Sequence, residues 1–142
     1  MPELPEVETT KRGIEPFLVG ATIARVVVRN KNLRWPAQVP QSLVGQPISH
    51  VGRRAKYILI TTPIGTLIVH LGMSGSLRLV EPQTPVKTHD HIDLQLNSGR
   101  CLRYNDPRRF GSFHFHVSDP AEHWLLAKLG PEPLSNDFSG AV

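Results

Sequence analysis

The sequence begins MPELPEVETT, and Pro2 stands directly behind the initiator methionine. Loss of Met1 would expose a terminal secondary amine. An α-amino group titrates near pH ~8, well below a lysine at ~10.4, so much of it is neutral at physiological pH. A neutral amine can attack an electrophilic carbon and form an imine or iminium, as Schiff-base enzymes do. Glu3, next in the chain, could serve as general acid or base. The plainer alternative is that Pro2 only permits removal of methionine.

Four further stretches could carry chemistry. RRAKY holds Arg53, Arg54 and Lys56 at the opening of a strand, and strand alternation puts Arg54 and Lys56 on one face. That face is either a phosphate contact or a solvated edge that discourages aggregation. In HLGMSGSLR, His70 ends a strand, and Gly72 and Gly75 bracket Met73 and Ser74. A loop of this kind projects Met73 as an apolar wedge for a base stack, although a methionine between strands is also a common core residue. KTHDHID offers His89, Asp90 and His91. No third ligand with matching spacing is evident, so a phosphate contact or a structural histidine fits better than a metal site. In YNDPRRFGSF, Asn105-Asp106-Pro107 starts a turn that brings Arg108, Arg109 and Phe110 together before Gly111. An arginine beside an aromatic ring is either a structural stack or a finger, in which the cation reads base edges and the ring replaces a stacking partner. Together these are the parts needed to open a duplex, replace an extruded base and attack its sugar.

The elements that must position them are legible. Pro5 suits a first helical turn, and Glu6 and Glu8 complement the positive end of the helix dipole. Leu4, Val7, Ile14 and Leu18 recur at helical spacing, and Pro16 marks the expected end. From Gly20 onward ATIARVVVR, KYILITT, TLIVHLG and SFHFHV read as strands. HIDLQLNSGRCLRYN reads as a hairpin, in which Ile92, Leu94 and Leu96 alternate with polar residues and Ser98-Gly99 makes the turn. A second helix is expected from Asp119 to Gly130, with linker composition after it. The expected fold is α+β but mostly β: an antiparallel two-sheet β-sandwich flanked by an N-terminal and a C-terminal helix.

Composition narrows the function classes. The 142 residues, 39% hydrophobic and 20% charged, suffice for one core. No apolar run approaches the ~20 residues of a membrane helix, and no leader resembles a signal peptide, so a cytoplasmic location is expected. The single cysteine excludes an internal disulfide and a multi-cysteine zinc site within these residues. Residues 1–118 carry 15 Lys+Arg against 8 Asp+Glu, whereas residues 119–142 carry one against four. A basic body suits a polyanion.

PELPEVE, RRAKY, HLGMSGSLR, HDH and DPRRFG, in that order, strongly resemble the bacterial formamidopyrimidine-DNA glycosylases, the 8-oxoguanine repair enzymes also called MutM. The match runs from Pro2 to about Phe138. The opening resembles endonuclease VIII less, since that enzyme has glycine where Leu4 stands. The resemblance implies base-excision repair by a bifunctional glycosylase/AP lyase that removes oxidised purines from double-stranded DNA. Pro2 would attack the sugar C1′, Glu3 would protonate the ring oxygen, and Lys56 would grip phosphate and assist β-elimination. Glu6 would support the site. His70 and His89 would contact phosphate. Met73, Arg108 and Phe110 would fill the gap left by the everted nucleotide, Arg108 pairing with the orphan cytosine. Ser74 falls where some members touch the lesion.

The family continues into a helix–two-turn–helix region and a four-cysteine zinc finger, which supplies an arginine for δ-elimination. The resemblance therefore divides the chain into a catalytic domain (1–130) and a linker (131–142). It places the zinc ion, the only expected cofactor, outside these residues, and implies a monomeric full-length protein. The 142 residues alone are expected to fold but to bind DNA weakly and excise little. The competing reading is a non-catalytic DNA-binding fragment, which a Pro2→Gly change would distinguish.

Overall fold

A computed structural model describes residues 4–29, 39–72, 75–81, 83–108 and 111–117. Pro2, Glu3, Met73, Ser74, Phe110, the expected second helix and the linker lie outside them.

Helix α1 (Leu4–Leu18) buries Val7, Ile14 and Leu18. The 7–11–14–18 stripe also carries Lys11, whose ammonium lies 3.2 Å from Glu15. The expected stop at Pro16 is corrected: the helix runs through it to Leu18. Proline there removes only the bond to the residue-12 carbonyl in the last turn. The Val19 N–H donates to Glu15 O at 3.0 Å, and fully buried Leu18 anchors the end.

Among the described residues, eight strands form two antiparallel four-stranded sheets. One sheet orders β2 (His50–Arg54), β3 (Tyr57–Thr62), β4 (Gly65–His70) and β8 (Ser112–His116). The other orders β1 (Ile23–Val28), β6 (Asp90–Leu96), β7 (Cys101–Asn105) and β5 (Ser76–Val80). The core lies between them. Register puts Ile58, Val69 and Phe113 in one inward row and Ile60, Leu67 and Phe115 in the next. Ile92, Leu94, Leu102 and Tyr104 face them from the second sheet. Each such side chain contributes roughly 1.5–3 kcal/mol through removal from water. α1 covers one open side, packing on edge strands β2 and β5. The fold is thus mostly β, with two antiparallel sheets and one α-helix among the described residues.

Two local readings change. RRAKY is not one strand: Arg54 ends β2 and Tyr57 starts β3, so Ala55 and Lys56 form a two-residue turn. Ala55 takes φ 50°, a left-handed conformation that residues other than glycine adopt at a cost. The alternation in β6 is also not an inside–outside pattern, because Asp93 is as buried as Leu94. The outer face of β6 and β7 buries ions instead. Arg103 grips Asp93 with Nε–Oδ1 at 3.0 Å and Nη2–Oδ2 at 3.1 Å, and Arg29 adds Nη2–Oδ2 at 2.6 Å.

Candidate functional site

The topology brings the chemistry-bearing segments to one end of the sandwich. Arg54, Tyr57, His70 and Ser112 are register partners across the first sheet. Asp90, Asn105 and Ser76 are register partners across the second. The short connections 71–75 and 106–111 join the ends of these two rows, so both rows lie at the same end. The Ala55–Lys56 turn, the segment carrying His70 to Gly75, the loop ending at His89 and the turn holding Arg108 therefore cluster.

α1 is pinned in register with this end. Arg53 belongs to the inward row of Ile58 and Val69, but it stands on edge strand β2, where the helix reaches it. Its Nε donates to Glu8 Oε1 at 2.8 Å, and its Nη1 donates to the carbonyl of Ala55 at 2.8 Å. At the far end of the helix Arg100, just before β7, lies 4.5 Å above the Phe17 ring. The helix thus runs with its N-terminus toward the loop cluster, and Glu6 is exposed in its first turn. Burial opposes ionisation of Glu8, but hydrogen bonds from Arg53 and Arg12 and the charge of Lys11 outweigh it and hold the carboxyl below its ordinary value. From the sequence, Glu8 reads mainly as a helix-start residue. Its partner across the fold, Arg53, is 45 positions away, which no local pattern reveals.

Each loop is fixed from below. Lys56 is half-buried beside the strained Ala55. The His70 ring packs on Tyr57, with centroids 5.0 Å apart, and its Nδ1 accepts the Gly72 N–H at 3.1 Å. The proton of a neutral His70 therefore sits on Nε2, the orientation that suits donation to an anion. Gly75 N donates to Leu71 O at 2.7 Å, and a Cβ at Gly75 would meet that carbonyl. These contacts hold Gly72 and Gly75 at the end of β4 and before β5.

The loop before β6 rests on the ionic face. Arg103 Nη1 donates to Thr84 O at 3.1 Å and Pro85 O at 3.3 Å. Asp90 accepts the Lys87 N–H at 2.7 Å and the Asn105 amide at 2.8 Å. For Asp90 and Asp93 burial again opposes charge and is outweighed: by the Lys87 N–H, Asn105, Arg103 and Arg78 for Asp90, and by Arg29 and Arg103 for Asp93. His89 ends this loop, its Nδ1 buried without a hydrogen-bond partner among the described residues. His91 is buried and bonds Asp106 O through Nε2 at 2.7 Å, so it is structural, whereas His89 stands at the rim. Arg108 is exposed on the next turn.

The structure therefore gathers Lys56, His70, His89, Arg108 and the start of α1, with Glu6 beside it. It adds supports that sequence reading missed: Glu8, Asp93, Arg103, Asp106 and Gly111.

Fold and site together define a class: a two-sheet β-sandwich with an N-terminal helix along one open side and its cationic loops at the end where that helix starts. Solved structures of the class include a Lactococcus lactis formamidopyrimidine-DNA glycosylase, non-covalently bound to DNA containing an AP site. It has TM-score 0.83 and 31% identity over 96% of this chain and 54% of its own. A MutM complex with DNA containing carbocyclic 8-oxo-G has TM-score 0.79 and 31% identity, covering 89% of this chain and 48% of its own. The family model described as the formamidopyrimidine-DNA glycosylase N-terminal domain matches residues 1–113, and the chain belongs to that family. The formamidopyrimidine-DNA glycosylase of Nitrosococcus oceani is 58% identical over 142 residues, which is 99% of this chain and 52% of the relative. That of Stutzerimonas stutzeri is 59% identical over 144 residues, with the same coverage. The chain spans about half the length of the curated relatives it matches.

Proposed function

We propose that this chain is the nucleophile-bearing half of a bifunctional DNA glycosylase/AP lyase, which removes oxidised purines such as 8-oxoguanine and formamidopyrimidines in base-excision repair. The observation that carries the reading is the convergence of the α1 start, Lys56, His70, His89 and Arg108 at one end of the sandwich. Family membership and the lesion-bearing DNA in the relatives' structures support it.

In this reading the Pro2 amine attacks C1′ and the damaged base leaves with the glycosidic electron pair. Glu3 protonates the ring oxygen as the iminium forms. Lys56 holds phosphate and assists β-elimination, which expels the 3′ phosphate from the opened sugar. δ-Elimination then expels the 5′ phosphate, and water releases the amine. Glu6 supports the active site, while His70 and His89 hold backbone phosphates. Met73, Arg108 and Phe110 occupy the space of the everted nucleotide, Arg108 facing the orphan cytosine, and Ser74 borders the lesion. The protein works on double-stranded DNA in the cytoplasm, as a monomer when full-length. Residues 1–130 form the catalytic domain and 131–142 the linker.

The family's zinc finger takes four thiolates, and one cysteine is present, buried Cys101 on β7. These residues do not fit that ion, and of the steps above only δ-elimination draws on the finger, through its arginine, which lies outside residues 1–142.

The test is incision of an 8-oxoguanine duplex by residues 1–142 alone and by the same residues continued with the second half of the Nitrosococcus oceani relative. Restored incision only in the joined protein is expected. Robust borohydride cross-linking by the isolated piece would contradict its assigned weakness, and no incision by the joined protein would contradict the enzyme. The basic body, 15 Lys+Arg against 8 Asp+Glu in residues 1–118, also supports a second reading, a DNA-binding fragment without catalysis. Pro2→Gly separates the two: it lowers trapping and leaves binding in the enzyme, and changes neither in the fragment.

A further inference from the structure

We infer that Asp106 is a positioning residue that clamps the Arg108 turn and ties it to the end of the strand carrying His70 and to the loop carrying His89. The functional part of this inference rests on the reading above; the clamp itself does not.

Asp106 is fully buried at the end of β7. Its Oδ2 accepts the Tyr104 hydroxyl at 2.8 Å and the Gly111 N–H at 2.8 Å. The second bond joins the two ends of the segment 106–111, so the side chain closes the turn at its base. The main chain of the same residue reaches the neighbouring loop. Its N–H donates to His89 O at 3.1 Å, and its carbonyl accepts His91 Nε2 at 2.7 Å. Gly111 has no room for a side chain: a Cβ would strike the Tyr104 hydroxyl and sit 2.5 Å from His70 O and 2.9 Å from Asp106 Oδ2. The backbone next to His70, the carbonyl of His89 and the foot of the Arg108 turn therefore meet around one carboxylate.

Tyr104 holds that carboxylate from the core side. It is fully buried, and its ring meets Phe113 edge-on with centroids 5.6 Å apart. Burial, then the charge and hydrogen bond of Asp106, push its phenol well above the ordinary value, so it remains a donor at working pH. A buried carboxylate held by N–H and O–H donors is a rigid reference point, since each bond lost leaves a desolvated group unsatisfied. Arg108, two residues further on and exposed, inherits its placement from this point.

Trypsin cleavage at Arg108 tests the clamp in the 142-residue chain, without DNA. Asp106→Ala, and Tyr104→Phe as a milder variant that keeps the ring, are expected to speed cleavage at Arg108 by about tenfold or more, the ratio a lost buried hydrogen bond supports. Cleavage at Arg78 and Arg103 in the strands stays slow. Unchanged cleavage at Arg108, or strand and turn sites opening together, would overturn the clamp. The functional arm uses the joined protein and duplexes with an abasic site opposite each of the four bases. Tyr104→Phe is expected to narrow the preference for cytosine severalfold while binding to undamaged duplex holds. Selective cleavage with an unchanged preference would overturn the positioning role and leave the glycosylase reading standing. A wild-type protein with no damage-dependent binding would instead count against that reading.

Discussion

Arg53 holds Glu8 at 2.8 Å, joining the second turn of α1 to the last residues of β2, while its other nitrogen holds the carbonyl just before Lys56. One guanidinium thus sets the start of the helix against the turn that carries the lysine. Arg53→Met should lower unfolding free energy by about 1.5–3 kcal/mol, the usual range for charge-assisted hydrogen bonds. Urea unfolding checks this. A change under ~0.5 kcal/mol would show that the bridge is only a surface ion pair.

Ala55 sits at φ 50° directly before Lys56. Relief of roughly 1–2 kcal/mol of left-handed strain in Ala55→Gly is partly cancelled by the extra freedom of glycine in the unfolded chain. The expected net gain is about 0.5 kcal/mol, and Ala55→Val should lose more than ~1 kcal/mol. Thermal melts of the three proteins should order Gly above Ala above Val; Val equal to Ala would remove the strain.

Asp93 is buried with both Arg29 and Arg103 on it. Arg103→Met leaves that carboxylate short of its main partner and should cost about 3–5 kcal/mol. The same change removes the donor to Thr84 and Pro85, so amide exchange should rise in residues 84–89 beyond the global effect. Uniform acceleration over the chain would contradict the anchoring of that loop.

Acid should unfold the protein through the same carboxylates. Glu8, Asp90 and Asp93 are all held below ordinary values, burial being outweighed in each by the arginines and N–H donors around it. The unfolded chain then binds more protons at acid pH, so stability rises with pH there. Their contribution is complete above the unfolded range of ~3.9–4.3 and is lost as pH falls through the lower folded values. The urea midpoint should be level from about pH 5 to 7 and decline below about pH 4. A midpoint unchanged at pH 3 would contradict it.

Much of this was legible in the residues. β-Branched runs bounded by glycine or proline point to β1, β3 and β4, and alternation points to β8 and the β6–β7 hairpin, although the polar face of β6 is buried as well. β5 escaped notice, being five residues behind a glycine-flanked loop. RRAKY misled because its two-residue turn has no glycine or asparagine to mark it. The chemistry-bearing residues could be named, but not their supports. Glu8–Arg53 and Asp93–Arg29 join positions far apart in the chain, and only strand register brings them together. Asp106 could be read as a turn starter; that its carboxylate closes the turn on Gly111 depends on Tyr104 and the core behind it.

The most direct test is the identity of the atom that becomes bonded to DNA. Borohydride reduction of the joined protein on a duplex with a preformed abasic site, followed by peptide mass mapping, locates it. The expected adduct lies on the amine of Pro2 in chains that have lost Met1, and is missing from chains that retain it. An adduct on Lys56 or another lysine, or equal trapping with Met1 in place, would contradict the proline nucleophile.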